Sequence, residues 1–228
     1  MERALVIDHS TLIIRRSAAV VLGALLVAGA AQVAVPLPGT PVPMTLQPMA
    51  VLLVGGLLGA PLGALSMILY LAMGAAGLPV FTPTVPLVGV ARLLGPTGGY
   101  LLAYPVAAWV AGWLTNPGQQ PGDNQRGAAG WLTSPGRQPG DTGPLGAGLV
   151  VPALPRGVSR PWLRTTLAVV TGLALIHLGG LAQLAILTGD ISAATRFGTL
   201  PFLIGDLIKI AVLVPVLMKL APTIRARL

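Results

Sequence analysis

The chain has 228 residues, of which only 9% are charged, and its mean hydropathy is +0.82. So apolar a composition excludes an ordinary soluble domain and predicts an all-α membrane protein that crosses the bilayer several times. Its 14 basic and 6 acidic residues do not predict nucleic-acid binding, because the basic residues lie in flanks and one central loop without interleaved aromatic side chains. Cysteine is absent, which excludes disulfides and thiolate metal sites.

Six membrane-spanning helices are predicted in chain order. The long uncharged runs exceed the roughly 18 apolar residues that mark a spanning helix. Arg15 and Arg16 before the first run resemble the start of a signal peptide, but further spans follow, and we expect this helix to be retained. The predicted spans are Ser17–Ala34, two helices that share Met49–Leu78 and divide at Pro61, Gly98–Leu114, Thr165–Thr188 and Leu200–Ala221.

The distribution of Lys and Arg predicts that both termini lie on the inner side of the membrane, because eleven of the basic residues then fall inside. The whole chain, 1–228, is expected to form one transmembrane domain. Its segment 115–161 is predicted to be a flexible cytoplasmic loop. Gly112–Asp123 recurs there eighteen residues later as Gly130–Asp141 with ten of twelve positions identical, which indicates a tandem duplication.

Asp206 and Lys209 stand three residues apart in the last apolar run, so both side chains leave the same face of a helix. A charge within the bilayer costs at least about 2.5–3.5 kcal/mol and is usually kept for function. The pair therefore predicts a site for a polar ligand, with a self-neutralising ion pair as the alternative.

Two outer segments carry further polar candidates. Four prolines between Pro36 and Pro43 predict an extended, stiff loop without internal backbone hydrogen bonds, which presents Thr45 and Gln47 either to a pocket or merely within a connector. The second segment contains Arg92, Thr97, Gly98 and Gly99 just before a helix. Its backbone N–H groups could bind an anion at the helix start, although a simple turn and a snorkelling arginine explain the same pattern.

Other polar or small residues favour packing. His177 and Gln183 are expected to be hydrogen-bonded interior side chains. Small residues four apart, at Ala24 and Ala28, allow close helix contact, either within the bundle or against a partner.

Catalytic and energising motifs are missing from the sequence. It has no G-x-x-x-x-G-K-[ST] phosphate loop, no G-x-S-x-G elbow and no clustered metal ligands, so no enzyme, cofactor or metal site is expected. An intramembrane enzyme that used Ser66, His177 or Asp206 is the alternative, and it requires these side chains to converge.

Three motifs taken together resemble the BioY family, the biotin-binding S components of energy-coupling factor (ECF) transporters. They are Val35–Gln47, Gly95–Leu101, which includes Tyr100, and Pro201–Lys209. The long loop with the duplication departs from the family pattern. This resemblance implies a six-helix, multi-pass protein of the inner (plasma) membrane that captures biotin on the outer side.

The resemblance also implies roles for residues and partners. Import would be driven by two ABC-type ATPases through a transmembrane coupling subunit, which would contact Ala24 and Ala28. Asp206 and Lys209 would bind the ureido ring of biotin, and we expect its carboxylate near Arg92 and the Thr97–Gly99 amides. An S component for another small vitamin is the remaining alternative.

Overall fold

The protein is described here by a computed structural model, which covers residues 9–115 and 160–228. Within these ranges the chain is almost entirely helical. The helices are α1 (His9–Gln32), α2 (Gln47–Leu58), α3 (Ala60–Ala75), α4 (Val90–Leu94), α5 (Gly98–Thr115), α6 (Pro161–Thr188), α7 (Ile191–Gly198) and α8 (Leu203–Arg225), and a 3₁₀ turn, Leu200–Phe202, leads into α8. The tandem repeat and the rest of the predicted flexible loop lie outside the described residues.

Helices α2 and α3 divide two residues before the predicted point. The break falls at Gly59, whose φ of 83° lies in a region that glycine adopts without steric cost. Pro61 then occupies the first turn of α3, as Pro48 occupies the first turn of α2, where a missing N–H is tolerated. The chain therefore reverses at a glycine, and the proline stabilises the start of the next helix.

The proline-rich segment after α1 is a small hairpin. Strand β1 (Ala34–Val35) pairs in an antiparallel register with β2 (Met44–Thr45), so that Ala34 lies opposite Thr45. The expectation that the segment has no internal backbone hydrogen bonds is therefore wrong at its ends, where Val35 pairs with Met44, but not for the Pro36–Pro43 loop itself. The prolines fall between the two paired dipeptides, and the residues with free N–H groups make the ladder.

Helix α5 lies at the centre of the bundle and packs against α2, α3 and α6. Small residues make these approaches possible: Gly55 of α2 lies against the backbone of Ala108, and Gly99 lies against the backbone of Gly179. Close contact between helix backbones at small residues is the usual packing mode of membrane helices. Glycine and alanine therefore set the closest approaches between these helices.

Ala24 belongs to this internal packing. Its side chain is fully buried against the other helices, while Ala28 is only half-buried. The expectation that Ala24 faces a partner subunit is therefore corrected, because its surface is already used within the chain. Between the two possibilities that the spacing left open, the structure places Ala24 within the bundle.

Three of the described helical segments are long and apolar enough to cross a membrane: Ser10–Gln32, Pro161–Thr188 and Ile191–Arg225. Helices α2 and α3 are apolar but shorter. Helix α7 was not predicted from the sequence. Its N-cap residue is Asp190, whose side chain accepts a hydrogen bond of 2.7 Å from the Ser192 N–H. The fold is thus that of a helical membrane protein.

The ends of several helices meet at one end of the bundle. Arg16 of α1 donates to the Leu228 carbonyl over 3.2 Å. Arg225 of α8 donates to the Thr115 carbonyl at the end of α5, over 2.9 Å, and to the Gly56 carbonyl near the end of α2. A cation suits carbonyls at helix C-termini because they carry partial negative charge. The start of α1 and the end of α8 therefore lie on the same side.

Candidate ligand-binding site

A cavity lies between the β1–β2 hairpin and helices α2, α4, α5, α6 and α8. Including its open mouth, the space between its walls measures about 590 Å³. Seven of the nine predicted ligand-binding residues line it: Thr45, Gln47, Arg92, Thr97, Tyr100, Asp206 and Lys209. The three polar segments, which are far apart in the sequence, therefore meet at one place.

Asp206 is the centre of the polar wall. Nζ of Lys209 donates to its Oδ1 over 2.9 Å, and Nε2 of His177 lies 2.5 Å from its Oδ2. Asp206 and Lys209 are only 6% and 7% exposed, so both charges are held away from the surroundings and neutralise each other. The ion-pair alternative is thus realised in this structure, but the pair lies on a cavity wall rather than in a closed core.

The positions of Asp206 and Lys209 on α8 place both side chains on the inward face of the helix. Asp206 lies in the first turn of α8, directly after the 3₁₀ turn, and Lys209 follows one turn later. Their neighbours Leu207 and Ile208 are 67% and 63% exposed and face away from the bundle. The helix therefore presents two charges to the cavity and apolar side chains to the lipid.

The pair keeps hydrogen-bonding capacity for a ligand. An ammonium group has three N–H donors, and Lys209 uses one of them on Asp206 within the described part of the chain. Each carboxylate oxygen of Asp206 has a second lone pair. A molecule with both donors and acceptors can therefore bind here without breaking the ion pair.

Arg92 is a fully buried cavity residue and not a snorkelling anchor. It is 1% exposed, and its guanidinium donates to the Val85 carbonyl over 2.6 Å and to the Thr82 carbonyl over 3.0 Å. Its Nε is buried with no hydrogen-bond partner among the described residues. Arg92 thus holds the 82–85 loop against the cavity and retains one donor that is not satisfied.

Thr97 is placed at the cavity as predicted, but Gly98 and Gly99 are not. The buried Thr97 Oγ1 has no hydrogen-bond partner in the described ranges, and Thr97 lines the cavity. The Gly98 N–H donates to the Gly95 carbonyl over 3.0 Å, and neither glycine lines the cavity. The anion-binding role of these two glycines stays a prediction, and what the structure shows for Gly99 is that it allows α5 to approach Gly179 on α6.

Thr45 and Gln47 form a linked pair beside the hairpin. The Thr45 hydroxyl donates to Gln47 Oε1 over 3.2 Å, and Gln47 Nε2 donates to the Tyr70 hydroxyl over 2.5 Å. Tyr70 in turn stacks on Tyr104, which lines the cavity. The hairpin thus contributes polar groups whose positions are set by a buried aromatic layer.

Tyr100 is held rigidly in the cavity wall. Its hydroxyl donates to the Gly198 carbonyl over 2.6 Å, and its ring lies against Gly180 of α6, where a Cβ atom would overlap it. The orientation of this ring therefore depends on the absence of a side chain at Gly180.

The Gly180→Ala change is expected to lower the free energy of unfolding by about 1–3 kcal/mol, because the added methyl must displace the Tyr100 ring. Thermal unfolding of the purified protein in detergent measures this effect. Gly29→Ala is the matched control, since a Cβ at Gly29 meets no atom within 4 Å. Equal unfolding temperatures for the two variants would contradict the close packing.

Several cavity residues were not predicted from the sequence. His177 was expected to be hydrogen-bonded, which is confirmed, but its contact with Asp206 brings it into the site. The sequence around His177 could not predict this contact, because Asp206 is 29 residues away and lies on another helix. The apolar residues that line the cavity were also not predicted, because aromatic and aliphatic side chains are ordinary core residues in such a chain. The apolar lining includes Val42, Phe81, Leu101, Leu173, Ile176 and Phe202.

The protein has helical segments that can cross a membrane. Its cavity combines apolar walls with a few buried polar groups, as sites for small molecules do. The fold and the site together define a membrane protein that binds a small molecule. The enzyme alternative requires Ser66 to join His177 and Asp206. Ser66 instead donates to the Leu62 carbonyl over 2.8 Å and does not line the cavity.

Comparison with known families identifies the chain more closely. The sequence profile of the BioY family matches residues 3–226, and the chain belongs to this family. It is 50% identical over 72 residues to a protein of Pyrococcus horikoshii named "Probable biotin transporter BioY", which covers 32% of this chain and 43% of that protein. It is 44% identical over 91 residues to the "Biotin transporter BioY" of Thermotoga maritima, covering 40% and 51%. The aligned part thus spans about half the length of these relatives.

A solved structure has a similar fold over nearly the whole chain. It is described as the S-component for biotin from an ECF-type ABC transporter. The TM-score is 0.65 with 93% of each chain covered and 21% sequence identity, so the likeness concerns the fold.

Proposed function

We propose that this chain is the substrate-binding S subunit of an ECF-type vitamin uptake system and that it captures biotin from the extracytoplasmic side. The observation that carries the proposal is the buried Asp206–Lys209 pair on the wall of a cavity. Family membership and the printed names of the relatives support biotin as the ligand.

The chemistry of the ureido ring of biotin matches this pair. The ring presents two N–H donors and one carbonyl acceptor in a plane. Asp206 accepts from a ligand N–H while Lys209 donates to the ligand carbonyl, and charge-assisted hydrogen bonds of this kind contribute about 1.5–3 kcal/mol each. The bicyclic ring and the alkyl chain contact the apolar wall, which includes Phe81, Leu173 and Phe202.

The carboxylate of biotin is placed by the remaining polar groups. Arg92 Nε and Thr97 Oγ1 are buried at the cavity without hydrogen-bond partners among the described residues, and both can donate to an anion. A carboxylate there also offsets the positive charge of Arg92. This placement replaces the Gly98 and Gly99 amides of the sequence-based expectation.

We further propose six spans, with both termini inside and the cavity towards the outside of the cell's inner (plasma) membrane. The start of α1 lies against the end of α8, and this end of the bundle carries Arg15, Arg16, Lys219 and Arg225. An excess of Lys and Arg marks the cytoplasmic side. In this arrangement α2, α3 and α5 cross as well, with tilt or local thinning of the bilayer compensating for their length.

The proposed partners are a transmembrane coupling subunit and two ABC-type ATPases, which supply the energy for import. A coupling subunit that packs on α1 would meet the half-buried Ala28 with its exposed neighbours Leu25 and Gly29, and not the buried Ala24.

Equilibrium binding of a panel of labelled vitamins to the purified protein tests the proposal. We expect saturable binding of biotin and none of the others. Tighter binding of a different vitamin would favour an S component of other specificity. Turnover of a lipid or peptide by the purified chain alone would instead support the enzyme alternative.

A further inference from the structure

Phe81 forms the wall between the ligand cavity and helix α3. Its side chain lines the cavity and is only 8% exposed, whereas Gly74 and Tyr70 of α3, on which its ring packs, do not line the cavity. A Cβ atom at Gly74 would overlap the ring of Phe81, and the ring of Tyr70 meets that ring edge to face, with 5.5 Å between the ring centroids. The ring of Phe81 is therefore seated in a recess of α3.

Gly74 is required here for space and not for its backbone conformation. It lies in the last turn of α3, and it is not one of the glycines with a positive φ. Glycine is a poorer helix former than alanine, so a glycine inside a helix usually has a packing reason. In α3 that reason is the recess that accepts the ring of Phe81.

The neighbours of Phe81 leave the cavity as the direction in which its ring can move. Tyr70 is fully buried, and its hydroxyl accepts a hydrogen bond from Gln47 over 2.5 Å. The backbone next to Phe81 is fixed as well, because Arg92 donates to the Thr82 carbonyl over 3.0 Å. An added methyl group in the recess of α3 must therefore push the ring into the cavity and make the cavity narrower.

We infer that Gly74 and Phe81 determine which ring system the cavity accepts, because they keep it wide enough for a fused bicyclic ligand. This inference rests on the proposed function. With the ureido ring at Asp206 and Lys209 and the carboxylate near Arg92, the second, sulfur-containing ring of biotin lies between these groups. An aromatic side chain suits this part of the ligand, because a thioether sulfur contacts aromatic rings favourably.

The test compares biotin with dethiobiotin, which keeps the ureido ring and the carboxylate chain but lacks the sulfur atom that closes the second ring. Equilibrium binding of both ligands is measured for the unmodified chain, for Gly74→Ala, for Phe81→Leu and for a variant with both changes. Gly29→Ala is the matched control, because a Cβ at Gly29 meets no atom within 4 Å. Thermal unfolding establishes which variants are folded.

We expect Gly74→Ala to weaken biotin binding by about ten- to a hundredfold, the range for overpacking a close contact, and to leave dethiobiotin binding nearly unchanged. In the Phe81→Leu background the same change should have little effect, because leucine lacks the ring atoms that the new Cβ would overlap. Phe81→Leu alone should weaken biotin about tenfold and dethiobiotin less, so it decides the question if Gly74→Ala does not fold. Gly29→Ala should bind both ligands as the unmodified chain does.

Three results would overturn the inference alone. The first is an equal loss of affinity for both ligands in Gly74→Ala or in Phe81→Leu, since selection by ring size requires different losses. The second is a folded Gly74→Ala protein with full affinity for biotin. The third is a Gly74→Ala effect that is undiminished in the Phe81→Leu background. Absence of biotin binding by the unmodified chain would instead overturn the proposed function and this inference with it.

Discussion

Asp206→Asn should lower the affinity for biotin by about ten- to a hundredfold. The carboxylate accepts from both Lys209 and His177, and its replacement by an amide leaves the ammonium of Lys209 buried without a counter-charge. A lost charge-assisted hydrogen bond to the ligand costs about 1.5–3 kcal/mol, and each 1.4 kcal/mol corresponds to a factor of ten in affinity. Titration of the purified variant with labelled biotin gives the affinity directly.

Asp190→Asn provides the matched control, because it makes the same chemical change at an exposed position. Asp190 caps α7 by accepting from the Ser192 N–H, and asparagine caps helices equally well. The affinity of the Asp190→Asn variant for biotin should equal that of the unmodified chain. Thermal unfolding of both variants establishes that each is folded, and a folded Asp206→Asn protein with full affinity would remove Asp206 from the site.

Arg92→Gln should destabilise the protein by about 3 kcal/mol and weaken biotin binding as well. The variant loses two charge-assisted hydrogen bonds, which leaves the Thr82 and Val85 carbonyls without their donor, and each such bond contributes about 1.5–3 kcal/mol. The 82–85 loop then loses its attachment to the cavity wall. Thermal unfolding and hydrogen exchange of this loop measure the two parts of the effect.

Arg196→Gln is the corresponding control, since Arg196 is exposed on α7 and makes no contact with the cavity. We expect an unfolding temperature and a biotin affinity close to those of the unmodified chain. An Arg92→Gln protein that matches this control in both measurements would show that the arginine neither holds the loop nor takes part in binding.

The two interpretations of the Asp206–Lys209 pair, as an ion pair and as part of a ligand site, are compatible in this structure. Asp206 and Lys209 form an ion pair, as the simpler alternative held, and they line a cavity, as a ligand site requires. Because the ammonium and the carboxylate each retain hydrogen-bonding capacity, the pair can be preorganised for a ligand rather than closed to it. A pair of this kind avoids leaving an isolated charge in an apolar environment.

The sequence alone was sufficient to predict the helical membrane class, most helix positions and the three polar segments that meet at the cavity. Long uncharged runs can only satisfy their backbone in a bilayer as helices, and two charges three residues apart must share a helix face. These are local properties of the chain. They do not depend on which helices become neighbours.

The tertiary structure alone decided the contacts between distant residues. His177 reaches Asp206, Gly99 contacts Gly179 and Ala24 turns inward, and none of these follows from spacing along the chain. Glycine before a helix is compatible with an anion site or with close helix packing, and only the tertiary structure shows that Gly99 packs against α6. The rotation and approach of each helix are set by packing against several others at once, so no single segment encodes them.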